Sequence, residues 1–276
     1  MKIRVKLLKS FTQDPAHGAP VGVIEKADHL TDDQMIAVVK HFDLPECVFL
    51  QQSNKAHVKT RFFTRQQEVA YCGHATLAAF KIWAGGQNDV FLQETQKGVL
   101  KVRCTDELIT LQQSTTVINP SFLSAREIAS LLTISAHDVC GPCQIISTGT
   151  PKILVPVKNL AVLFAIEPQL DAIKTYCLQM NACGIYPFTQ DTLSPHSHFH
   201  ARQFNPLVGI DEDPITGVAA AALGVYNQIH KLRPTTRCIV EQGHIMNQFG
   251  TVIVDVAKEV YISGYAVSFA EKEISV

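Results

Sequence analysis

The chain has 276 residues, 46% of them apolar and 18% charged, with 24 lysines and arginines against 25 aspartates and glutamates. So even a balance argues against nucleic acid or an acidic membrane surface as the main partner, and no apolar run approaches the ~18 residues that a membrane-crossing helix needs. The length suits two domains of roughly 130 residues, since most domains hold about 100 to 150.

The opening stretch, Met1-Lys-Ile-Arg-Val-Lys-Leu-Leu-Lys-Ser10, alternates basic and apolar residues as a strand does. It lacks the continuous apolar run of an export signal, so a cytoplasmic location is expected. The irregular spacing of Cys47, Cys72, Cys104, Cys140, Cys143, Cys177, Cys183 and Cys238 then fits reduced thiols. Thr31 to His41, with Asp32 and Asp33 in its first turn, predicts an amphipathic outer helix. Glu46 follows Pro45 and heads an otherwise apolar strand, Cys47 to Leu50. Gly73-His74 opens an alanine-rich helix to about Ala84, with Leu77, Phe80, Ile82 and Trp83 spread around it.

Ser124 to Leu132, with Ser124 as N-cap and Glu127 three residues on, predicts a second outer helix. It opens the second half and puts the boundary near Pro120, giving halves 1–120 and 121–276. Asp213-Pro214 signals a helix start, with Asp as N-cap and Pro at the first helical position. The helix that follows, to about His230, has almost no polar face and must be surrounded by protein.

An internal repeat organises these elements. Arg61-Phe-Phe63 lies eleven residues before Cys72, and Arg202-Gln-Phe204 lies eleven before Asp213, a constant offset of 141. At that offset Gly73 meets Pro214 and the Ala78-Ala79 pair meets Ala219-Ala220. Two copies indicate a duplicated fold, not a solenoid. The expected fold class is α+β: two pseudo-symmetric halves, each a curved, largely antiparallel sheet or barrel around a central apolar helix, with an active cleft between them.

Two helix starts facing one cleft would offer unpaired backbone N–H groups and partial positive charge to a substrate carboxylate. Gly73 and Gly217 would let the backbone approach closely. Glu46, if it lines such an apolar cleft, could take a proton from carbon and return it near neutral pH. Capping alone would also explain Asp213, and a structural role would explain His74. Cys140-Gly-Pro-Cys143 matches a redox dithiol motif, but an apparent strand follows where a helix is required. His196, His198 and His200 alternate as metal ligands on a strand face could, yet the sequence places no acidic or Cys ligand beside them, so no metal is expected. Gly-rich phosphate motifs are absent.

Arg61-Phe-Phe-Thr, Glu68-Val-Ala-Tyr-Cys72-Gly-His-Ala-Thr-Leu-Ala78, Ser147-Thr-Gly-Thr-Pro151, Gly209-Ile-Asp-Glu-Asp-Pro-Ile-Thr-Gly217 and Glu241-Gln-Gly243 resemble, in order, the signature stretches of PhzF-like proteins of phenazine biosynthesis. The resemblance implies a diaminopimelate-epimerase-like fold, no cofactor, a biosynthetic role and a homodimer. It assigns Glu46 as the catalytic glutamate, with His74 and Asp213 holding and polarising the substrate, and with Gly73, Gly217, Cys72 and Thr216 around it. In the phenazine pathway the reaction is isomerisation of a dihydro-hydroxyanthranilic acid. Two departures stand out: Thr216-Gly-Val218 replaces Thr-Gly-Ser, and Gly18-Ala-Pro20 replaces Gly-Asn-Pro. The lost hydroxyl argues for a different substrate.

The expected function is a cofactor-independent isomerase that moves a proton between carbons of a small carboxylate-bearing, cyclic or unsaturated metabolite through Glu46. An alternative is a binding protein that keeps the cleft without catalysis. A cysteine-based racemase is a third, disfavoured because Cys72 has Asp213, not a second thiol, at the repeat-related position.

Overall fold

Residues 2–275 are described by the computed structural model, and they divide into two units. One unit runs up to Gln112 and resumes at Ser263; the other is Gln113–Ile262.

In the first unit the strands are β1 (Lys2–Ser10), β2 (Ala19–Ile24), β3 (Cys47–Gln51), β4 (Val58–Phe63), β5 (Glu68–Val69), β6 (Asp89–Thr95), β7 (Gly98–Thr105) and β8 (Leu108–Gln112). Its helices are α1 (Asp32–Phe42) and α2 (Gly73–Trp83). The second unit carries β9 (Val117–Leu123), β10 (Cys143–Ser147), β11 (Pro151–Pro156), β12 (Ile185–Thr189), β13 (Phe199–Ala201), β14 (Gln203–Asn205), β15 (Ile210–Asp213), β16 (Arg237–Gln242) and β17 (Gly250–Val256). Its helices are α3 (Ala125–Leu131), α4 (Leu160–Phe164), α5 (Leu170–Gln179) and α6 (Gly217–His230). The chain then passes through β18 (Val260–Gly264) into β19 (Ala266–Ser275).

Each unit is thus mostly sheet with few helices, a mixed α+β fold. Starting at β1, the pairings run antiparallel to β2, parallel to β3, antiparallel to β4, parallel to β6 and antiparallel to β7. Starting at β10, they run in the same senses through β11, β12, β13, β16 and β17. β19 pairs antiparallel with the whole of β1, from Lys2↔Ser275 to Ser10↔Ala266. That ladder draws the C-terminal strand into the first unit, so the division falls at 112/113 and 262/263 rather than at 120/121. Pro120 lies inside β9, where the pairing with β10 is irregular between Gln144 and Ile146. A residue without an N–H is tolerated at such a break.

Apolar side chains place the helices. Residues 75–80 of α2 are all buried, and the helix packs on β1, β2, β3, β8 and β19. Residues 219–227 of α6 are buried, and it packs on β10, β11, β16 and β17. Four consecutive alanines, Ala219 to Ala222, at 0% exposure explain how close the sheet comes. At Gly224 a Cβ would sit 2.5 Å from Val254 Cγ1. The outer helix α1 is held by a capping box, in which Gln34 N donates to Thr31 Oγ1 and Thr31 N donates to Gln34 Oε1. Ser124 caps α3 as its spacing predicts, accepting from Glu127 N.

The helix after Asp213 starts later than its sequence suggests. α6 begins at Gly217 with Thr216 at the N-cap position, and Asp213 closes β15, paired with Gln203. Asp213 is therefore no N-cap: its carbonyl is engaged by Gln242 Nε2 at 2.6 Å, and that tie holds it in extended backbone.

One charged fork recurs in both units. Arg61 donates through Nε and Nη2 to Glu68 at 2.9 and 2.6 Å, its guanidinium 4.9 Å from the centre of the Phe63 ring. Arg202 donates likewise to Glu212 at 2.8 and 2.9 Å and lies 4.8 Å from the Phe204 ring. Each fork ties a short strand, β5 or β15, to its neighbour just ahead of α2 or α6, where the residues of interest lie.

Candidate active site

In the first unit, Glu46 occupies the bend leading into β3. Its carbonyl accepts from Gly22 N at 3.3 Å, and the next side chain, Cys47, lies over Gly22 so tightly that a Cβ there would meet Cys47 Sγ at 2.6 Å. The absent side chain at Gly22 thus sets how closely β3 approaches β2 and where Glu46 emerges. Its side chain is 15% exposed, and its Oε2 lies 3.4 Å from His74 Nε2.

His74 stands in the first turn of α2, with its carbonyl accepting from Ser10 Oγ at 2.7 Å. Cys72 is the N-cap residue without a side-chain cap, and its Sγ turns instead to His74 Nδ1 at 3.2 Å. Gly73, His74 and Ala75 carry first-turn N–H groups that have no partner within the helix. Glu46, Cys72, Gly73 and His74 therefore form one cluster at a helix N-terminus.

A second cluster belongs to the second unit. Thr216 Oγ1 donates to Asp213 Oδ2 at 2.5 Å, directly before Gly217 opens α6. Gln242 organises this loop: its Oε1 accepts from Tyr186 Oη at 3.0 Å and Thr216 N at 3.2 Å, while its Nε2 donates to Asp213 O. Gly243, at φ +93°, turns the chain so that a Cβ would lie 2.7 Å from Pro214 O. The sequence assigns Gln242 no task, because it ends a strand, Arg237–Gln242, that already carries Arg237 and Glu241 as polar residues. Thr148 Oγ1 donates to Val218 O at 3.1 Å, and Gly149 lies beside the Val218 methyls, so Val218 stands against the Thr148-Gly149 loop.

Sequence reasoning missed Lys152, which is 1% exposed on β11 and donates through Nζ to Cys183 O. Burial pulls its amine below the ordinary 10.5, against the opposing pull of Cys183, Asp213 and Cys177. Replacing Lys152 by Met, of similar length without charge, removes the penalty of a buried ammonium but leaves Cys183 O without its donor. A folded-state amine that holds its proton less tightly than the unfolded one destabilises at low pH, and this penalty fades as pH rises toward 10.5. The stability of the parent relative to Lys152→Met should therefore rise in urea titrations repeated at alkaline pH; a constant difference would assign the effect to packing.

The other candidates separate. His196 lies in a turn, His198 Nδ1 accepts from Ile239 N at 3.1 Å, and His200 pairs with buried Glu241 at 2.8 Å, so the alternating histidines are committed to different partners. Burial pushes Glu241 up, but His200 and the N–H groups of Leu193 and Ser194 outweigh it and hold the carboxyl below 4.5. None of the eight cysteines is disulfide-bonded. Burial first, and then Cys140, pushes the Cys143 thiol up to about 12, and burial also raises Cys140, the opposite of an activated dithiol. No helix among the described residues is long and apolar enough to cross a membrane.

Fold and relatives place the molecule first in a class and then in a family. The uncharacterized isomerase YddE of Salmonella typhimurium is 32% identical over 97% of this chain and 96% of that protein. The crystal structure of the Bacillus anthracis phenazine biosynthesis protein of the PhzF family matches at TM-score 0.92 and 28% identity, with 100% of both chains covered. A hydroxyproline epimerase from Agrobacterium vitis shares the fold alone, at TM-score 0.62 and 12% identity over 99% of this chain and 91% of that one. The protein is an isomerase on this mixed α+β scaffold. The model of the phenazine biosynthesis-like PhzC-PhzF family matches residues 8–272, and the chain belongs to that family.

Proposed function

We propose that this isomerase moves a proton between two carbons of a small carboxylate-bearing, cyclic or unsaturated metabolite, with Glu46 as the shuttle and no cofactor. Glu46 in its carboxylate form takes a proton from one carbon, and the electron pair left behind spreads over the conjugated substrate. The same carboxyl then returns the proton to a second carbon, so atoms and charge balance within one turnover. The observation that carries this reading is the 3.4 Å approach of a largely enclosed Glu46 carboxylate to His74 at the N-terminus of α2. His74, presenting Nε2 to Glu46, orients the carboxylate and polarises the substrate. Asp213, joined to Thr216, stabilises the charge that develops on it. Gly73 and Gly217, each opening a helix, offer backbone N–H groups to the substrate carboxylate.

The two units are read as copies of one ancestral half, each with a sheet around a central helix. The shared order of pairing senses and the repeated Arg-carboxylate fork over a Phe ring support that duplication. Val218 places methyl groups where Ser is usual in the family motif, which favours a substrate less polar at that point than the phenazine intermediate.

The test is turnover in deuterated solvent of acids first selected by thermal shift. Isomerisation with deuterium entering at the receiving carbon is expected, and isomerisation without any exchange in either direction would exclude a shuttle open to solvent. Cys72→Ala separates the thiol mechanism: turnover within about fivefold of the parent is expected, whereas loss of a covalent or proton-carrying thiol would cost about 10²-fold or more.

A further inference from the structure

Glu46, Cys72 and His74 each present one donor atom, and these atoms lie within 4.8 Å of one another, the one such grouping among the described residues. We propose that these three side chains form a binding site for a thiophilic divalent cation of the zinc class, and that occupancy switches the enzyme off.

Three donors of the right chemistry stand close together without yet facing one point. With Zn–S near 2.3 Å and Zn–N and Zn–O near 2.0–2.2 Å, neighbouring ligand atoms in a tetrahedron stand about 3.4–3.6 Å apart. His74 Nε2 is 3.4 Å from Glu46 Oε2, while Cys72 Sγ is 3.2 Å from His74 Nδ1 and 3.8 Å from Nε2. An ion on Nε2 lies in the imidazole plane beyond that nitrogen, whereas the sulfur stands closer to Nδ1, so the His74 and Cys72 side chains must rotate for the three donors to meet on one ion. The donor set of one sulfur, one imidazole nitrogen and one carboxylate oxygen suits Zn²⁺ and excludes Mg²⁺ and Ca²⁺, which require all-oxygen shells. Two of the three donors stand at the start of α2, Cys72 at the N-cap position and His74 in the first turn, and the third is anchored by the Gly22–Glu46 backbone bond. Both partly exposed side chains, Glu46 at 15% and His74 at 21%, leave room for a water as fourth ligand. On binding, the Cys72 thiol gives up its proton to solvent, the sulfur donates a pair to the ion, and no redox change occurs. The sequence hid this site because Glu46 and Cys72 are far apart in the chain; the usual short ligand spacings are missing.

The switching part rests on the proposed proton shuttle, since an ion on Oε2 takes the electron pair that would receive the substrate proton. The binding part does not. Full-length protein, stripped with chelator and kept reduced by a phosphine, is titrated with Co²⁺ alone. The expected result is a near-ultraviolet thiolate-to-cobalt charge-transfer band with intense visible bands, saturating at one equivalent and reversed by Zn²⁺. Cys72→Ser should abolish the charge-transfer band and weaken binding about a hundredfold, because soft thiolate is the selective donor. His74→Gln provides a second disruption, should weaken binding at least tenfold and is read by calorimetry, while Cys140→Ser should leave the spectrum intact and so excludes the exposed thiol. Absence of the band, or its survival in Cys72→Ser, overturns the site. Zn²⁺ should inhibit turnover competitively with substrate. A band with undiminished turnover would keep the site and overturn Glu46 as the shuttle, and turnover dependent on Glu46 without any band would do the reverse.

Discussion

Exchange of Glu46 for Gln is expected to lower kcat about 10³-fold, within the range that a positioned acid or base contributes. The amide keeps the size and the approach to His74 Nε2 but cannot accept and return a proton. KM should change little, because the role proposed for Glu46 is at the reacting carbons and not at the anchoring carboxylate. Solvent deuterium should no longer enter recovered substrate, since removal of the first proton is the step lost. Glu46→Asp sharpens the test: the carboxyl remains but is drawn back by one methylene, and a mispositioned base is expected to recover only part of the rate. Steady-state kinetics with mass spectrometry of recovered substrate measures both. Wild-type exchange in the Gln variant would remove Glu46 from the chemistry.

Arg202→Met should destabilise the second unit by about 3–5 kcal/mol, the range for breaking a buried ion pair from one side. The side chain is 7% exposed, and its five donors are almost wholly used. Nε and Nη2 bind Glu212, while Nη1 donates to Leu163 O at 3.0 Å and to Ile166 O at 2.9 Å, at the end of α4. Helix carbonyls at that end have no internal partner and carry partial negative charge, so the cation serves three acceptors at once. Met fills the volume beside Phe204 but leaves Glu212 and both carbonyls without their donor. Arg61→Met is the internal control, because its fork is 18% exposed and also reaches exposed Asp32, so solvent can replace more of what is lost. A loss of about 1–2 kcal/mol is expected there. Urea unfolding followed by near-ultraviolet circular dichroism reads both, and equal losses would show that the extra carbonyl contacts of Arg202 contribute nothing.

Much of the candidate site was legible because each feature carried a local signal. Cys72-Gly-His74 before an alanine-rich run marks a helix start by composition alone, and α2 begins at Gly73. The Arg-x-Phe repeat was visible as spacing, and the forks at Arg61 and Arg202 give that spacing a physical reason: each arginine fastens the strand that delivers the next loop. Asp213-Pro214 was read as a cap because Asp before Pro favours one, but Gln242, distant in sequence, holds Asp213 extended and defers the helix to Gly217. Lys152 had no signal of its own, since a lysine beside apolar residues usually lies at a strand's solvent edge.

What the sequence determined by itself was the class of fold, the family and the set of chemically able residues, because periodicity, helix starts and motif spacing are properties of neighbours in the chain. Tertiary structure alone decided that β19 closes on β1, that Asp213 answers to Gln242 and Thr216, and that Glu46 meets Cys72 and His74 within reach of a single ion. Those outcomes depend on distances between residues far apart in the chain, which are set only when buried strands and helices pack to fill space.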